Sequence, residues 1–319
     1  MTAAHLDPSR KQDFVFLTDI TDGNPNGDPD AGGMPRLDPG TMQGLISDVA
    51  IKRKIRNMIG LMHAGRPGYD IYVESGIALN AQHNRAYEPG AAGPDATEAD
   101  AQKWMCSTFY DVRMFGAVMT TGKAEETDPA EAAATDGGAA PTKSRGRAKA
   151  KTGKRKTAGR VQGPIQLTLS RSIDPVTPIE LGITRVTPTR IEDIGVKETE
   201  MGNKHLLPYG LFRGEGHFSA PFAQRTGVTS DDLDAFWNAF TLMFDHDRAS
   251  GRASMALRGL YVFTHDNAFG RAPAHQLLDR IRVRPLGDPN ARKFGDYADN
   301  IVIDDTDLPD GVTLTRLIG

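Results

Sequence analysis

The sequence predicts an α+β fold built on a mainly antiparallel sheet. Segments with the period-two alternation of strands and segments with apolar residues at helical spacing alternate along the chain, a pattern typical of mixed folds. Residues 190–207 carry a Gly-Asn pair near their centre, which favours a hairpin and therefore antiparallel pairing. No internal repeat is present.

The first half of the chain opens with a strongly apolar segment, DFVFLTDI, followed by a loop rich in Gly, Pro, Asn and Asp. The helix after the loop has its apolar residues at near-helical spacing and a glycine at its expected end. The predicted elements are a strand at residues 13–20, a helix from Ser47 or the earlier Thr41 to Gly60, a strand at residues 70–79, and irregular helical structure at residues 80–122.

The second half is predicted to be richer in strands. Its best-defined helix has a serine available as its N-cap and two aspartates in its first turn. The predicted elements are strands at residues 161–173 and 180–187, a hairpin at 190–207 with its tip at 201–204, extended structure at 205–218, a helix at 231–244 capped by Ser230, a strand at 258–264, a helix near 274–278 and a strand near 280–283.

Composition limits the classes of function. The 319 residues can bury one large core or two smaller ones. The formal net charge is only −3, so a nucleic-acid surface must come from local segregation of charge. A single cysteine, Cys106, excludes an internal disulfide and fits a reducing compartment. No signal peptide or membrane-spanning apolar run is apparent, so we expect a cytoplasmic location and no membrane partner.

A segment at residues 123–160 stands apart in composition. Five acids and no base lie between residues 125 and 136, and nine bases and no acid lie between 143 and 160. Without large apolar residues such a segment is predicted to be disordered. It is either a solubilising loop or a mobile arm that binds DNA. The basic residues predicted to contact DNA are Lys143, Arg145, Arg147, Lys149, Lys151, Lys154, Arg155 and Lys156.

The loop and helix after the first strand carry the main signal for function. A glycine-rich loop lets backbone N–H groups approach a ligand closely. The helix then presents four cations within five residues, at Lys52, Arg53, Lys54 and Arg56. Together they are typical of a surface that binds phosphates without cutting them. The alternative is that the four cations form the solvated face of an amphipathic helix.

Metal binding and catalysis find little support. Residues 22–28 imitate the start of an EF-hand loop, but Gly33 stands where the closing bidentate Glu is required. The histidines are scattered, and no HExxH, CxxC, Walker or GxSxG motif occurs. We therefore predict no catalytic residue, no bound metal and no cofactor. Asp28 and Asp30 are the only candidates for metal-dependent phosphodiester cleavage, and two loop acids are weak evidence.

Five segments together resemble a known family. The combination is similar to the backbone subunit of type I CRISPR Cascade complexes, the Cas7 family, and most similar to its type I-C branch. The resemblance runs over nearly the whole chain, from residue 13 to about 283. They are NPNGDPD at 24–30, ISDVAIKRKIR at 46–56, DVRMFG at 111–116, GPIQLTLSRSIDPV at 163–176 and LPYGLFRGEGHFS at 207–219.

The resemblance implies an architecture and a role. It implies a modified RRM-like (ferredoxin-like) palm at residues 1–60 and 161–319, a helical fingers insertion at 61–160 and a β-hairpin thumb at about 190–207. It implies a non-catalytic subunit that polymerises along CRISPR RNA and presents it to target DNA in antiviral defence. The implied partners are CRISPR RNA, target DNA, further copies arranged head-to-tail, and other Cascade subunits.

The residues predicted to bind RNA come from the loop, the helix and the thumb. The resemblance places guide contacts on the helix and on the thumb, with Met201 near the thumb tip. Aromatic residues on the usual RRM strands are not obvious, so base stacking on the sheet is not expected. The predicted RNA-binding residues are Asn24, Asn26, Gly27, Ser47, Lys52, Arg53, Arg56, Lys197, Met201, Lys204 and His205.

Two other functions stay open at this point. One is a metal-dependent endoribonuclease of the type III backbone kind, which would use the loop aspartate Asp28 or Asp30. The other is a protein that binds polyanions only through the basic tract at residues 143–160.

Overall fold

A computed structural model of the chain describes residues 3–120, 157–193, 199–252, 254–287 and 291–319. The basic residues predicted to contact DNA, Lys143 to Lys156, lie outside these ranges, and so does Lys197. Most of the acidic-then-basic segment at 123–160 is therefore outside the described residues.

The described residues form seven α-helices and fourteen strands. The helices are α1 (Asp48–Met62), α2 (Leu79–Asn84), α3 (Glu98–Thr108), α4 (Tyr110–Phe115), α5 (Ala220–Thr226), α6 (Ser230–His246) and α7 (Ala274–Leu278). The strands are β1 (Gln12–Gly23), β2 (Gly27–Asp28), β3 (Met34–Pro35), β4 (Gln43–Ile46), β5 (Gly116–Met119), β6 (Gly159–Gln162), β7 (Ile165–Leu167), β8 (Ser170–Pro175), β9 (Ile179–Arg185), β10 (Glu200–Phe218), β11 (Ser254–His265), β12 (Ile281–Val283), β13 (Ile301–Ile303) and β14 (Val312–Ile318).

One large sheet organises the chain. Its order is β14-β11-β1-β10-β8-β4, with β7 and β9 also pairing with β10. Every pairing in it is antiparallel. After β1 the chain adds β4 at the far edge of the sheet, leaves through α1 and rejoins the sheet as β7 and β8. It leaves β10 through α5 and α6 and returns as β11. The predicted mixed fold with an antiparallel sheet is confirmed.

The first face of the sheet carries the larger core. Alternate residues of β1, including Phe14 and Phe16, point towards α1 and α6 and are fully buried. Phe16 meets Phe240 of α6 edge to face, with ring centroids 5.1 Å apart. The apolar stripe of α1, with Ile51 and Ile55, closes the same core. These contacts fix the position of α1 relative to the sheet.

The second face of the sheet is covered over its central strands by the C-terminal part of the chain. Tyr209 on β10, together with Tyr261 and Phe263 on β11, is buried there. Leu277 of α7 and Tyr297 pack against them in the same cluster. Aromatic side chains thus do occupy this face, but they are part of a core. The premise that these strands lack aromatic residues is therefore wrong, and the absence of base stacking on the sheet stays a prediction.

Two arginine–aspartate pairs attach the helical region at residues 61–120 to α1 and α6. Arg113 donates to both carboxylate oxygens of Asp232, at 3.0 and 2.7 Å, and both side chains are at most 7% exposed. Arg56 Nε donates to Asp111 Oδ2 at 2.7 Å. Since an unpaired buried charge is strongly unfavourable, these pairs restrict how the region can dock.

Several predicted boundaries are wrong for local reasons. Residues 70–79 do not form a strand, because the backbone N–H groups of Tyr72 and Val73 donate to the Asp111 carboxylate instead of a neighbouring strand. Gly60 lies inside α1, which continues to Met62. The cap of α6 is Thr229 rather than Ser230, since the Thr229 hydroxyl accepts the Asp232 N–H.

A long hairpin is present, but the predicted hairpin at residues 190–207 with its tip at 201–204 is wrong. Residues 179–185 pair with residues 200–206, with Arg185 opposite Glu200 and Ile183 opposite Gly202. Gly202 and Asn203 are therefore inside strand β10 and do not form a turn. The turn of the hairpin lies between Arg185 and Glu200. A Gly-Asn pair is compatible with either role, and the pairing partner decides between them.

We expect Arg113→Ala to lower the free energy of unfolding by about 3–5 kcal/mol, because it leaves the Asp232 carboxylate buried without its cation. The matched control is Arg66→Ala. Arg66 pairs with the neighbouring Asp231, but these side chains are 47% and 75% exposed, and such surface pairs contribute about 1 kcal/mol or less. Urea unfolding followed by fluorescence measures both; equal losses would contradict the assigned difference in burial.

Candidate nucleic-acid interface

The loop between β1 and β4 is held by two asparagine side chains. Asn24 Nδ2 donates to the carbonyl oxygen of Gly33 at 2.7 Å. Asn26 Oδ1 accepts the N–H of Ser47 at 2.8 Å. Ser47 in turn caps α1, since its hydroxyl oxygen accepts the N–H of Ala50 at 3.3 Å. The loop is therefore hydrogen-bonded directly to the start of the helix.

The acidic residues of the loop also take part in turns. Asp28 Oδ1 accepts the N–H of Asp30 at 3.2 Å and lies 3.5 Å from Arg36 Nη1. Gly27 is confined, because a Cβ there would lie 3.1 Å from the carbonyl oxygen of Gly33. Within the described ranges, no group of three or more His, Cys, Asp or Glu side chains is placed to hold a metal ion.

Lys52 and Arg56, one helical turn apart on α1, both have acidic partners. Lys52 Nζ donates to Asp48 Oδ2 at 3.0 Å, and Arg56 Nε donates to Asp111 Oδ2 at 2.7 Å. Both cations lie over the ring of Phe115, at 5.9 and 5.1 Å from its centroid. The two side chains share one face of the helix, as the sequence spacing predicts, and each is already paired.

Arg53 and Lys54 point to different surroundings. Arg53 is half-buried, and its Nη1 donates to the carbonyl oxygen of Val73 at 2.6 Å. Lys54 is buried and forms an ion pair with Asp247. Burial lowers the pKa of Lys54, and the hydrogen bond and charge of Asp247 oppose that effect. The four cations therefore do not form one free cluster, and Lys54 belongs to the core. The roles of Lys52, Arg53 and Arg56 in RNA binding stay predictions.

Asp111 connects three parts of this region. Its carboxylate accepts Arg56 Nε and the N–H groups of Tyr72 and Val73, the latter two at 2.7 and 3.1 Å. The carbonyl of Val73 then receives Arg53. Sequence reasoning missed this residue. The available signal was an aspartate and an arginine between the apolar and aromatic residues of YDVRMF, since charged side chains in such a run need buried partners.

A cleft of about 450 Å³ lies beside α1. Its walls come from α1, from residues 71–75 and from the C-terminal end of α6. Arg53 and Arg56 line it together with Asn57, Ser75 and His246. Two of the predicted RNA-binding cations thus line one open cleft, in which Glu74 and Asp247 are also part of the lining.

The hairpin β9–β10 leaves the sheet at the same end as the loop, because Gly23 at the end of β1 pairs with Leu207. Met201 is 88% exposed on it. The pairing places Met201 opposite Thr184, Lys204 opposite Leu181 and His205 opposite Glu180. The loop and the three described thumb residues are therefore neighbours at one end of the sheet.

Strand β9 of the hairpin carries an exposed row of apolar side chains. The alternate residues Ile179, Leu181 and Ile183 share one face of the strand and are between 40% and 52% exposed.

None of the helices that the structure describes is long and apolar enough to cross a membrane.

Comparison with known proteins gives one family. The family model described as CRISPR-associated protein Cas7 matches residues 10–304. A CRISPR-associated protein Cas7 from Haloferax volcanii is 30% identical over 127 residues, which are 38% of this chain. The match spans 36% of the length of that relative, so it covers about a third of each protein.

Two solved structures overlap loosely with the chain. A CRISPR RNA-guided surveillance complex has 12% identity and a TM-score of 0.42, covering 82% of this chain and 71% of that one. A surveillance complex described as pre-nicking has 14% identity and a TM-score of 0.42, covering 82% and 80%. Overlaps this loose carry no argument about individual residues.

Proposed function

We propose a function for this chain from its family: it belongs to the Cas7 family of CRISPR-associated proteins. In this proposal it binds CRISPR RNA as a backbone subunit of a cytoplasmic surveillance complex. It presents the guide for pairing with target DNA in antiviral defence. The observation that carries the proposal is the family match over residues 10–304, nearly the whole chain.

The sheet supports the finer proposal of an RRM-like palm. Its strands β11-β1-β10-β8 are all antiparallel neighbours, with α1 after β1 and α6 after β10. This is the strand order of a ferredoxin-like unit, two βαβ crossovers interleaved in one sheet. In this proposal residues 61–160 are the fingers insertion, and the hairpin formed by β9 and the start of β10 is the thumb.

The guide is proposed to bind through its backbone. Arg53 and Arg56 line one cleft, and a guanidinium suits phosphate oxygens. The loop and Ser47 stand at the head of the same helix. A subunit that must accept any spacer should read phosphate and shape, because base pairing reads the sequence. The burial of Tyr209, Tyr261 and Phe263 fits this, since no base can stack on them.

Several copies are proposed to lie head-to-tail on one guide. The apolar face of the hairpin, with Leu181 and Ile183, is a surface that a neighbouring copy can cover. Contacts between two different surfaces build an open filament rather than a closed dimer. Assignment to the type I-C branch, and contact of the basic tract at residues 143–156 with target DNA, belong to this proposal as well.

Arg53→Ala is the direct test of guide binding. We expect weaker binding of single-stranded guide RNA and a salt slope smaller by about 0.7, the value for one lost phosphate contact. Arg53 is preferred to Arg56, because removal of Arg56 would leave the buried Asp111 carboxylate without its cation. Fluorescence anisotropy at several salt concentrations gives the slope.

Two controls sharpen the Arg53 test. Arg53→Lys keeps the charge and should keep most of the slope. Arg271→Ala removes an exposed, paired arginine from the opposite end of the sheet and should change nothing. If Arg53→Ala leaves both affinity and slope unchanged, Arg53 is not a guide contact.

The hairpin face is tested by Leu181→Asp combined with Ile183→Asp. Charges on a face that becomes buried between copies should weaken their association by about tenfold or more. Native mass spectrometry of the protein assembled on guide RNA counts the bound copies. Val118→Asp, at an exposed apolar residue of β5 outside the hairpin, is the control. Full-length assemblies with the double variant would count against this surface.

A non-catalytic role is tested with complementary RNA. We expect the assembled protein with magnesium to leave a complementary RNA intact. Regularly spaced cleavage that Asp28→Asn or Asp30→Asn abolishes would instead establish the endoribonuclease. Gel electrophoresis of end-labelled RNA distinguishes the two outcomes.

A further inference from the structure

The second face of the main sheet is open at the edge formed by β8 and β4. The C-terminal segment buries the central strands on that face, but Arg171 on β8 is 47% exposed and Leu169 beside it is 43% exposed. A groove of about 490 Å³ lies here. Its lining combines polar and apolar groups, among them Gln43, Leu169, Arg171, Ile173, Val283 and Pro285.

Two arginines line the groove and differ in how many hydrogen bonds hold them. Arg213 makes three: it donates to the carbonyl oxygens of Ile281 and Leu278 and to Glu215, at 3.1, 2.8 and 2.5 Å. Arg171 donates through Nη1 to Asp38 Oδ2 at 2.6 Å, its one hydrogen bond among the described residues. A guanidinium carries five N–H donors, so Arg171 still has donors for a ligand. Arg213 is a wall of the groove, and Arg171 is its accessible cation.

The groove is continuous with the loop described above. Asp38, the partner of Arg171, lies in that loop, and Gln43 at its end donates to the carbonyl oxygen of Ser172 at 2.8 Å. Between them, Met42 is 45% exposed and has φ of +56°. A non-glycine residue in the left-handed region is strained, and such strain often marks functional sites.

We propose that this groove binds one nucleotide of single-stranded RNA, with a phosphate on Arg171 and the ribose or base against Leu169, Val283 and Pro285. Cations beside apolar surface are the usual elements of single-strand grooves. The phosphate replaces the Asp38 carboxylate as the acceptor of the Arg171 hydrogen bond. The inference rests on the proposed function, because it extends the guide path from the loop onto the palm edge.

The chain offers a matched control for Arg171. Arg316 on β14, at the other edge of the sheet, is 42% exposed and donates to Asp305 at 2.5 Å. Arg171→Ala should weaken binding of single-stranded RNA several-fold and lower the salt slope by about 0.7. Arg316→Ala should leave both unchanged. Anisotropy titrations over a range of salt concentrations compare the two variants.

Substitution of the aspartate that pairs with Arg171 should change RNA binding in the opposite direction. Asp38→Asn removes the competitor for the Arg171 donors and should strengthen RNA binding. Asp305→Asn makes the same change of net charge beside Arg316 and should not. Photocrosslinking of RNA that contains 4-thiouridine should in addition mark residues 168–173 or 283–285 in the wild-type protein.

Each outcome decides the proposal. Weaker binding with Arg171→Ala and tighter binding with Asp38→Asn, against silent controls, support it. If the Arg171 and Arg316 variants weaken RNA binding equally, the effect comes from overall charge and the proposal is wrong. The proposal is also wrong if Arg171→Ala leaves the salt slope of RNA binding unchanged while Arg53→Ala weakens binding. Wild-type protein that binds no RNA would overturn the proposed function and this inference together. Loss of a co-purifying protein subunit with unchanged RNA binding would assign the groove to a protein and overturn it too.

Discussion

The buried carboxylate of Asp111 is the constraint on which the candidate interface depends. It is 1% exposed, so it must be paired and hydrogen-bonded to be tolerated. Arg56 supplies the charge, and the N–H groups of Tyr72 and Val73 supply two further bonds. The same contacts fix the carbonyl of Val73 where it receives Arg53. One acid thus sets the positions of two α1 arginines and of the chain segment that faces them.

A second buried pair makes this arrangement rigid. Arg113, two residues after Asp111, joins α4 to the capped start of α6 through Asp232. The helical region is consequently fixed to both α1 and α6. Groups held on rigid elements lose little freedom when a ligand binds, which favours affinity. The cleft beside α1 is therefore largely preformed, with its cations already oriented by internal partners that a phosphate must displace or share.

Under the proposed function, the geometry of the sheet restricts which surfaces can contact the guide RNA. The C-terminal segment buries the aromatic residues of the central strands, so that face offers no stacking platform there. What stays accessible is the loop, the hairpin at the same end of the sheet and the groove around Arg171 on the β8 edge. All three offer backbone or cationic groups, which suit contacts with phosphate. Such a surface fits a subunit that holds guides of any sequence.

The sequence by itself determined the elements whose signals are local. Strand β1, helix α1 with its Ser47 cap and helix α6 follow from alternation, helical spacing and capping within a few residues. Only the tertiary structure decided which cations are accessible. Lys54 and Arg53 are adjacent and chemically similar in the sequence, but Lys54 is buried against Asp247, 193 residues away. The register of the hairpin and the absence of the predicted strand at residues 70–79 likewise depend on partners that are distant in the sequence. No local pattern encodes such partners.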